Sequence, residues 1–106
     1  MATFRRSDGD VIRVRTADDS FETDAIAELR VEENPPTSVA ARGSVVPSEP
    51  IVRFRQLFED AETFHVELTT ATGRNRYYRG CKSPNGDEKS LEWMADRIET
   101  GNEQAD

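Results

Sequence analysis

The sequence predicts a mainly β (α+β) fold: a small antiparallel β-barrel or sandwich of six or seven strands, closed by one C-terminal amphipathic helix at about residues 88–100. Three observations carry this. Several short runs alternate apolar and polar residues with the period of a half-buried strand. Clusters of Pro, Gly, Asn and Asp separate these runs and interrupt any longer ladder. After residue 88 the apolar spacing changes to that of a helix.

In Val11-Ile-Arg-Val-Arg15, Ile12 and Val14 share one side and Arg13 and Arg15 the other, which predicts a strand. Thr16-Ala-Asp-Asp-Ser20 has turn chemistry, and a short strand follows around Phe21. Ala25 to Glu33 sets Ala27, Leu29 and Val31 against Glu28, Arg30 and Glu32; the alternation favours a strand, although Ala, Glu and Leu also suit a helix. Asn34-Pro35-Pro36 stops the ladder, because proline has no N–H to donate. Thr37 to Val46 is small and apolar, with Gly43 expected at a bend or bulge, and Pro47-Ser-Glu-Pro50 is a second break. Val52 and Phe54 alternate with Arg53 and Arg55, again as in a strand, and Gln56 to Glu62 reads as a helical turn or a polar loop.

The clearest strand is Thr63 to Thr69, with Phe64, Val66 and Leu68 inward and His65, Glu67 and Thr69 outward. Ala71 to Asn75 turns the chain, and Arg76 to Cys81 returns as its hairpin partner. Ser83 to Asp87 forms a loop able to cap a helix. From there Leu91, Met94, Ala95 and Ile98 fall at i, i+3, i+4 and i+7, Asp87 and Glu88 suit the start of a helix, and Gly101 suits its end. Residues 101–106 are expected to be a disordered tail. The whole reads as one domain over residues 1–100, with Trp93 as the plug of its core.

Composition narrows function more than it defines it. The 106 residues carry 14 Lys+Arg against 21 Asp+Glu, so attraction of the whole chain to nucleic acid is not expected. Twelve of the basic residues are arginine and only Lys82 and Lys89 are lysine, as high-GC coding or adaptation to strong salt would each produce. The single cysteine cannot form an internal disulfide, no apolar stretch is long enough for a membrane span, and the first residues lack the apolar run of a signal peptide. A cytoplasmic protein, or one carried in a virion, is the expectation.

Chemistry-bearing groups are few. His65 and Glu67 lie two apart on the polar face of one strand, and Cys81 follows Arg79 and precedes Lys82. No Cys/His spacing suits zinc, no Gly-rich phosphate loop is present, and the carboxylates are dispersed. No enzyme activity, cofactor, metal site or small-molecule substrate is expected. The local charge anomaly is Arg74 to Lys82, with four positive charges, no acid and two tyrosines. Arg74, Arg76, Tyr77, Tyr78 and Arg79 are the candidate contact residues, because Arg and Tyr are enriched at binding hot spots. The competing reading pairs these arginines across strands with Glu67, Glu62 or Glu28. Residues 83–106 hold seven acids and two bases, and Glu88, Glu92, Asp96 and Glu99 could form an acidic helix face against a basic partner.

Phe64 to Arg74, then Arg76-Tyr-Tyr-Arg-Gly-Cys81, then Ser90-Leu-Glu-Trp-Met-Ala-Asp-Arg-Ile98 resembles the end of a pleckstrin-homology-like (PH-like) domain. In that family an apolar strand, a glycine turn and a partner strand lead to a final helix carrying a tryptophan; Ser20 to Val31 fits the family's earlier strands. The resemblance implies a non-enzymatic protein-interaction module. The family's usual lipid-binding signature lies between its first two strands, where this chain has the acidic Thr16–Ser20 loop. Ala95-Asp-Arg-Ile98 also resembles the closing strand of small β-proteins from tailed-virus tails and virions, which implies a self-associating structural protein with Leu91–Ile98 extended. The two readings part at residues 88–100: a helical lid supports the module, and a laddered strand supports self-association.

Overall fold

Where polar and apolar residues alternate without a competing period, strands form as expected. The computed structural model describes residues 1–59 and 63–101. Among these, β1 (Ala2–Arg5), β4 (Ile26–Glu33), β5 (Ala41–Pro47) and β8 (Leu91–Ala95) form a four-stranded sheet in the order β1-β4-β5-β8. A five-stranded sheet, ordered β3-β2-β6-β7-β9, holds β2 (Val11–Thr16), β3 (Glu22–Thr23), β6 (Phe64–Thr69), β7 (Asn75–Cys81) and β9 (Arg97–Gly101). All pairings of named strands are antiparallel. Ile12, Val14, Phe64, Val66, Leu68 and Tyr78 from one sheet share a core with Leu29, Val31, Val45, Leu91 and Trp93 from the other. The sheets do not close into a barrel. β1 was not anticipated from the sequence; its register places Phe4 opposite Leu29 of β4.

Three expectations are overturned. The first is the helix at 88–100. Residues 91–95 pair with β5 (Ala41↔Ala95 to Val45↔Leu91), and residues 97–101 pair with β7 (Asn75↔Gly101 to Arg79↔Arg97). Two periods are superimposed here, and burial follows the shorter one. Leu91, Trp93 and Ala95 are inside while Met94 is 38% exposed. A strand buries the indole against Tyr78, the ring centroids 5.2 Å apart, and gives the backbone partners on both sides. Asp87 does bond like a helix cap, its Oδ1 accepting from the N–H of Lys89 (2.8 Å) and Ser90 (3.0 Å). It closes a tight turn instead, with the N–H of Asp87 bonded to the carbonyl of Ser90 at 2.9 Å, and the chain returns as β8. The final helix that the PH-like resemblance implies is therefore not formed.

The second is the strand at Val52–Arg55, which is helix α1 (Val52–Glu59). Phe54 and Leu57, three apart, are both buried, whereas Val52 is 67% exposed, so the apparent alternation did not report a buried face. The polar stretch expected after Arg55 continues this helix, and residues 60–62 lie outside the described residues.

The third is Gly43, which sits in an unbroken register, opposite Val31 and Trp93. The bulge in that sheet lies between Ile26 and Glu28, which is why Ile26 and Leu29 are both buried in one strand. The tail beyond Gly101 is also outside the described residues, and Gly101 itself ends β9 rather than a helix.

β8 and β9 form one path through both sheets. Met94 exchanges backbone bonds with Lys82 (2.9 and 3.0 Å), and the Asp96 N–H donates to the Arg79 carbonyl at 2.9 Å. At this corner β7 carries a second bulge, and Gly80 adopts φ 64°, a left-handed backbone that glycine tolerates best. The last strand thus leaves one sheet at Ala95 and becomes the edge of the other at Arg97.

Candidate functional site

Strand alternation divides the five candidate contact residues of β7 among three places. Arg74 lies in the turn before the strand, exposed and with no ion-pair partner among the described residues. Tyr77 and Arg79 face outward from the five-stranded sheet, with the Arg79 guanidinium carbon 4.8 Å from the Tyr77 ring centroid. Tyr78 points inward, and Arg76 meets Glu33 of β4 at the open end between the sheets. The Tyr78 hydroxyl donates to Glu33 Oε2 at 2.9 Å, and Arg76 Nε lies 3.6 Å from the same oxygen. Burial and the Glu33 carboxylate hold the phenol above its ordinary range. The basic cluster is one patch in sequence and three environments in space.

Its outward members belong to a chain of alternating charge across the sheet. Arg15 Nη2 of β2 reaches Glu67 Oε2 of β6 at 2.9 Å; Arg79 Nη1 of β7 reaches the same oxygen at 3.3 Å. Arg79 Nε then meets Glu99 Oε1 of β9 at 3.1 Å, and Arg97 Nε meets Glu99 Oε2 at 3.1 Å. The cross-strand pairing expected with Glu67 is present; that with Glu28 is not, since Glu28 pairs with Arg5 and Arg30, and Glu62 lies outside the described residues. Exposed pairs of this kind contribute little singly, but linked across four strands they fix which side chain faces which. The hydrogen bonds from Arg97 and Arg79 lower the pKa of the Glu99 carboxyl.

His65 stands in this array opposite Arg15. Its Nδ1 is buried without a hydrogen-bond partner, and Glu67, its expected proton partner, is bonded to two arginines. Desolvation first, then the charges of Arg79 and Arg15, push the imidazole below its ordinary value. The pair therefore does not form a hydrogen-bonded acid–base couple.

Cys81 is fully buried, its Sγ donating to the Tyr78 carbonyl at 3.3 Å. Burial, above all, pushes the thiol up to about 12 from its usual 9.0. The sign follows directly: the folded state keeps the proton that the unfolded chain releases near pH 9, so this contribution is complete below pH 9 and is lost as pH rises toward 12. Stability should fall in that window with a slope of up to about 1.4 kcal/mol per pH unit from this group. Urea unfolding at stepped alkaline pH should show the fall, and Cys81→Ala should remove it between pH 9 and 10, below the point where the raised Tyr78 phenol adds a fall of its own; an unchanged slope in the variant there would remove Cys81 as the cause.

The acidic residues do not share a helix face. Glu92 points outward from the four-stranded sheet, Asp96 packs at the corner against Gly80, Glu99 is paired on the other sheet, and Glu88 lies in the loop before β8. Among the described residues no group of three or more His, Cys, Asp or Glu could hold a metal ion. The described surface includes two grooves. One, of about 360 Å³, crosses the outer side of β5 and β8 beside Arg42, Ser44, Glu92 and Met94; the other, of about 280 Å³, lies at the open end beside Phe4, Glu33, Arg76 and Tyr78.

The feature missed in sequence is the edge formed by Arg97-Ile-Glu99. β9 pairs with β7 on one side and with no described strand on the other. Its signal was present as a charged–apolar–charged alternation, concealed by the helical spacing that ends at Ile98. No helix of the described chain is long and apolar enough to cross a membrane. Compared with known proteins, the chain matches no protein-family model, no curated protein and no solved structure.

Proposed function

We propose that this chain is a non-enzymatic, self-associating β-protein that joins copies of itself through a sheet edge. This is the structural role expected of a subunit in a larger assembly such as a viral tail or virion. The observation that carries the reading is the extended course of residues 91–101: the segment expected to close the fold as a helix instead finishes as an edge strand with one side unpaired among the described residues. An open strand edge is a template for another chain. Two further points support it. Both arginines of β7, Arg76 and Arg79, are engaged with Glu33, Glu67 and Glu99, which lowers the positive charge they could offer an anionic ligand. The four acids of the inhibitor reading are spread over different surfaces.

Size-exclusion chromatography with light scattering, over a wide range of protein concentration, tests this. A mass that rises with concentration toward dimers or larger species is the expected result. A monomer throughout would reject it and return the argument to a module for a foreign partner, centred on Arg74 and Tyr77.

A further inference from the structure

The other three edges are shorter than β9 or already engaged. At the four-residue β1, the Arg5 N–H donates to Asp10 Oδ2 (3.1 Å) and the Arg5 carbonyl accepts from the Asp10 N–H (3.3 Å), so the adjoining turn occupies the Arg5 end of that side. β3 is two residues long. β8 lies between β5 and the bridge to Lys82.

On β9 the open groups can be assigned. Along a strand, successive residues direct their N–H and C=O to opposite sides. The Thr70 N–H bonds the Arg74 carbonyl, so even-numbered residues of β7 face β6 and odd-numbered ones face β9; with Tyr77 opposite Glu99, the odd-numbered residues of β9 face β7. The backbone groups of Ile98 and Thr100 therefore face away from it, and no described strand pairs with them.

We propose that β9 pairs antiparallel with β9 of a second copy, about a two-fold axis at Ile98; this rests on the self-association reading and names its interface. In this register Ile98 and the partner's Ile98 exchange a pair of backbone hydrogen bonds across the axis, and Arg97 lies opposite the partner's Glu99 on each side of it. Their side chains, on the outer face, are of opposite charge at both positions, so the Arg15–Glu67–Arg79–Glu99–Arg97 chain continues into the second copy. The Arg97 and Glu99 positions fall between these bonds, where facing strands approach most closely, while Ile98 packs half-buried against the core. A two-fold axis at Glu99 would pair Ile98 with the partner's Thr100, but sets two glutamates directly opposite each other, which is destabilising. An axis between residues would align outward groups with inward ones. Charge and backbone polarity thus select one register. The contact is isologous, so it yields a closed dimer in which the two five-stranded sheets run on as one.

Sedimentation equilibrium on the full chain tests the register by charge reversal. Arg97→Glu and Glu99→Arg each turn both attractive cross-strand pairs into repulsive ones and should weaken dimerisation by roughly tenfold or more. The double variant R97E/E99R restores opposite charges and should recover dimerisation. Circular dichroism checks each fold. As a second readout, Ile98→Cys should form a disulfide-linked dimer on mild oxidation, because its two copies face each other; Glu99→Cys should not. Dimers that ignore the single reversals, or a double variant as weak as the singles, would overturn this interface while leaving self-association standing. A parent protein that is monomeric at every concentration would overturn both.

Discussion

Trp93→Ala is expected to cost about 3–5 kcal/mol, a large share of the roughly 5–15 kcal/mol that holds a domain of this size folded. Trp93 is the largest fully buried side chain, wedged between the sheets against Tyr78. Neighbouring strands are hydrogen-bonded in register and cannot collapse into the space that alanine would leave, so the loss of transfer energy and the cavity add. Trp93→Phe should be much milder, about 1–2 kcal/mol, because the buried indole Nε1 has no hydrogen-bond partner and its removal leaves no orphaned acceptor. Urea unfolding followed by far-ultraviolet circular dichroism measures both, since the variants lose the only tryptophan. A cost below about 1 kcal/mol for the alanine variant would mean that Trp93 does not fill the centre of the core.

Gly43→Ala should be comparably severe although it adds a single methyl group. A Cβ at Gly43 would overlap the carbonyl oxygen of Arg30 and lie 2.9 Å from its carbonyl carbon and 3.0 Å from Val31 Cα. Every obstructing atom is backbone, so no side chain can swing aside and β4 must move away from β5. That strand separation disturbs the Val31↔Gly43 and Gly43↔Trp93 positions together. A loss of about 3 kcal/mol, at the upper end of ordinary overpacking, is expected, with Val or larger residues preventing folding. Ser44→Ala, one residue away, should change stability by less than about 0.5 kcal/mol. Equal effects at the two positions would show that the strands are not this close at Gly43.

The elements legible in sequence were those with one period and clear punctuation. Val11–Thr16 and Phe64–Thr69 alternate without ambiguity, and burial follows the reading residue by residue. Where two periods coincide, local pattern chose wrongly. Leu91, Met94, Ala95 and Ile98 satisfy a helix and Leu91, Trp93 and Ala95 satisfy a strand; area decides, because the indole is worth more inside than the Met94 side chain. In Val52–Arg55 the reverse occurred, since helix spacing at Phe54 and Leu57 appears only when the window extends further. The candidate site was visible as composition and invisible as geometry. Consecutive arginines and tyrosines on a strand must point to opposite faces, and their partners Glu33, Glu67 and Glu99 come from separate strands.

By itself the sequence determined that the chain would be antiparallel β, with turns at its Pro, Gly and Asp clusters, because these depend on neighbours a few residues apart. Only the tertiary structure decided that residues 91–101 are extended, that the backbone of Arg30 leaves no room for a side chain at Gly43 and that no described strand lies along one side of β9. Those outcomes rest on which strand lies alongside which, and on the backbone partners and buried area that such neighbours supply to groups far apart in the chain.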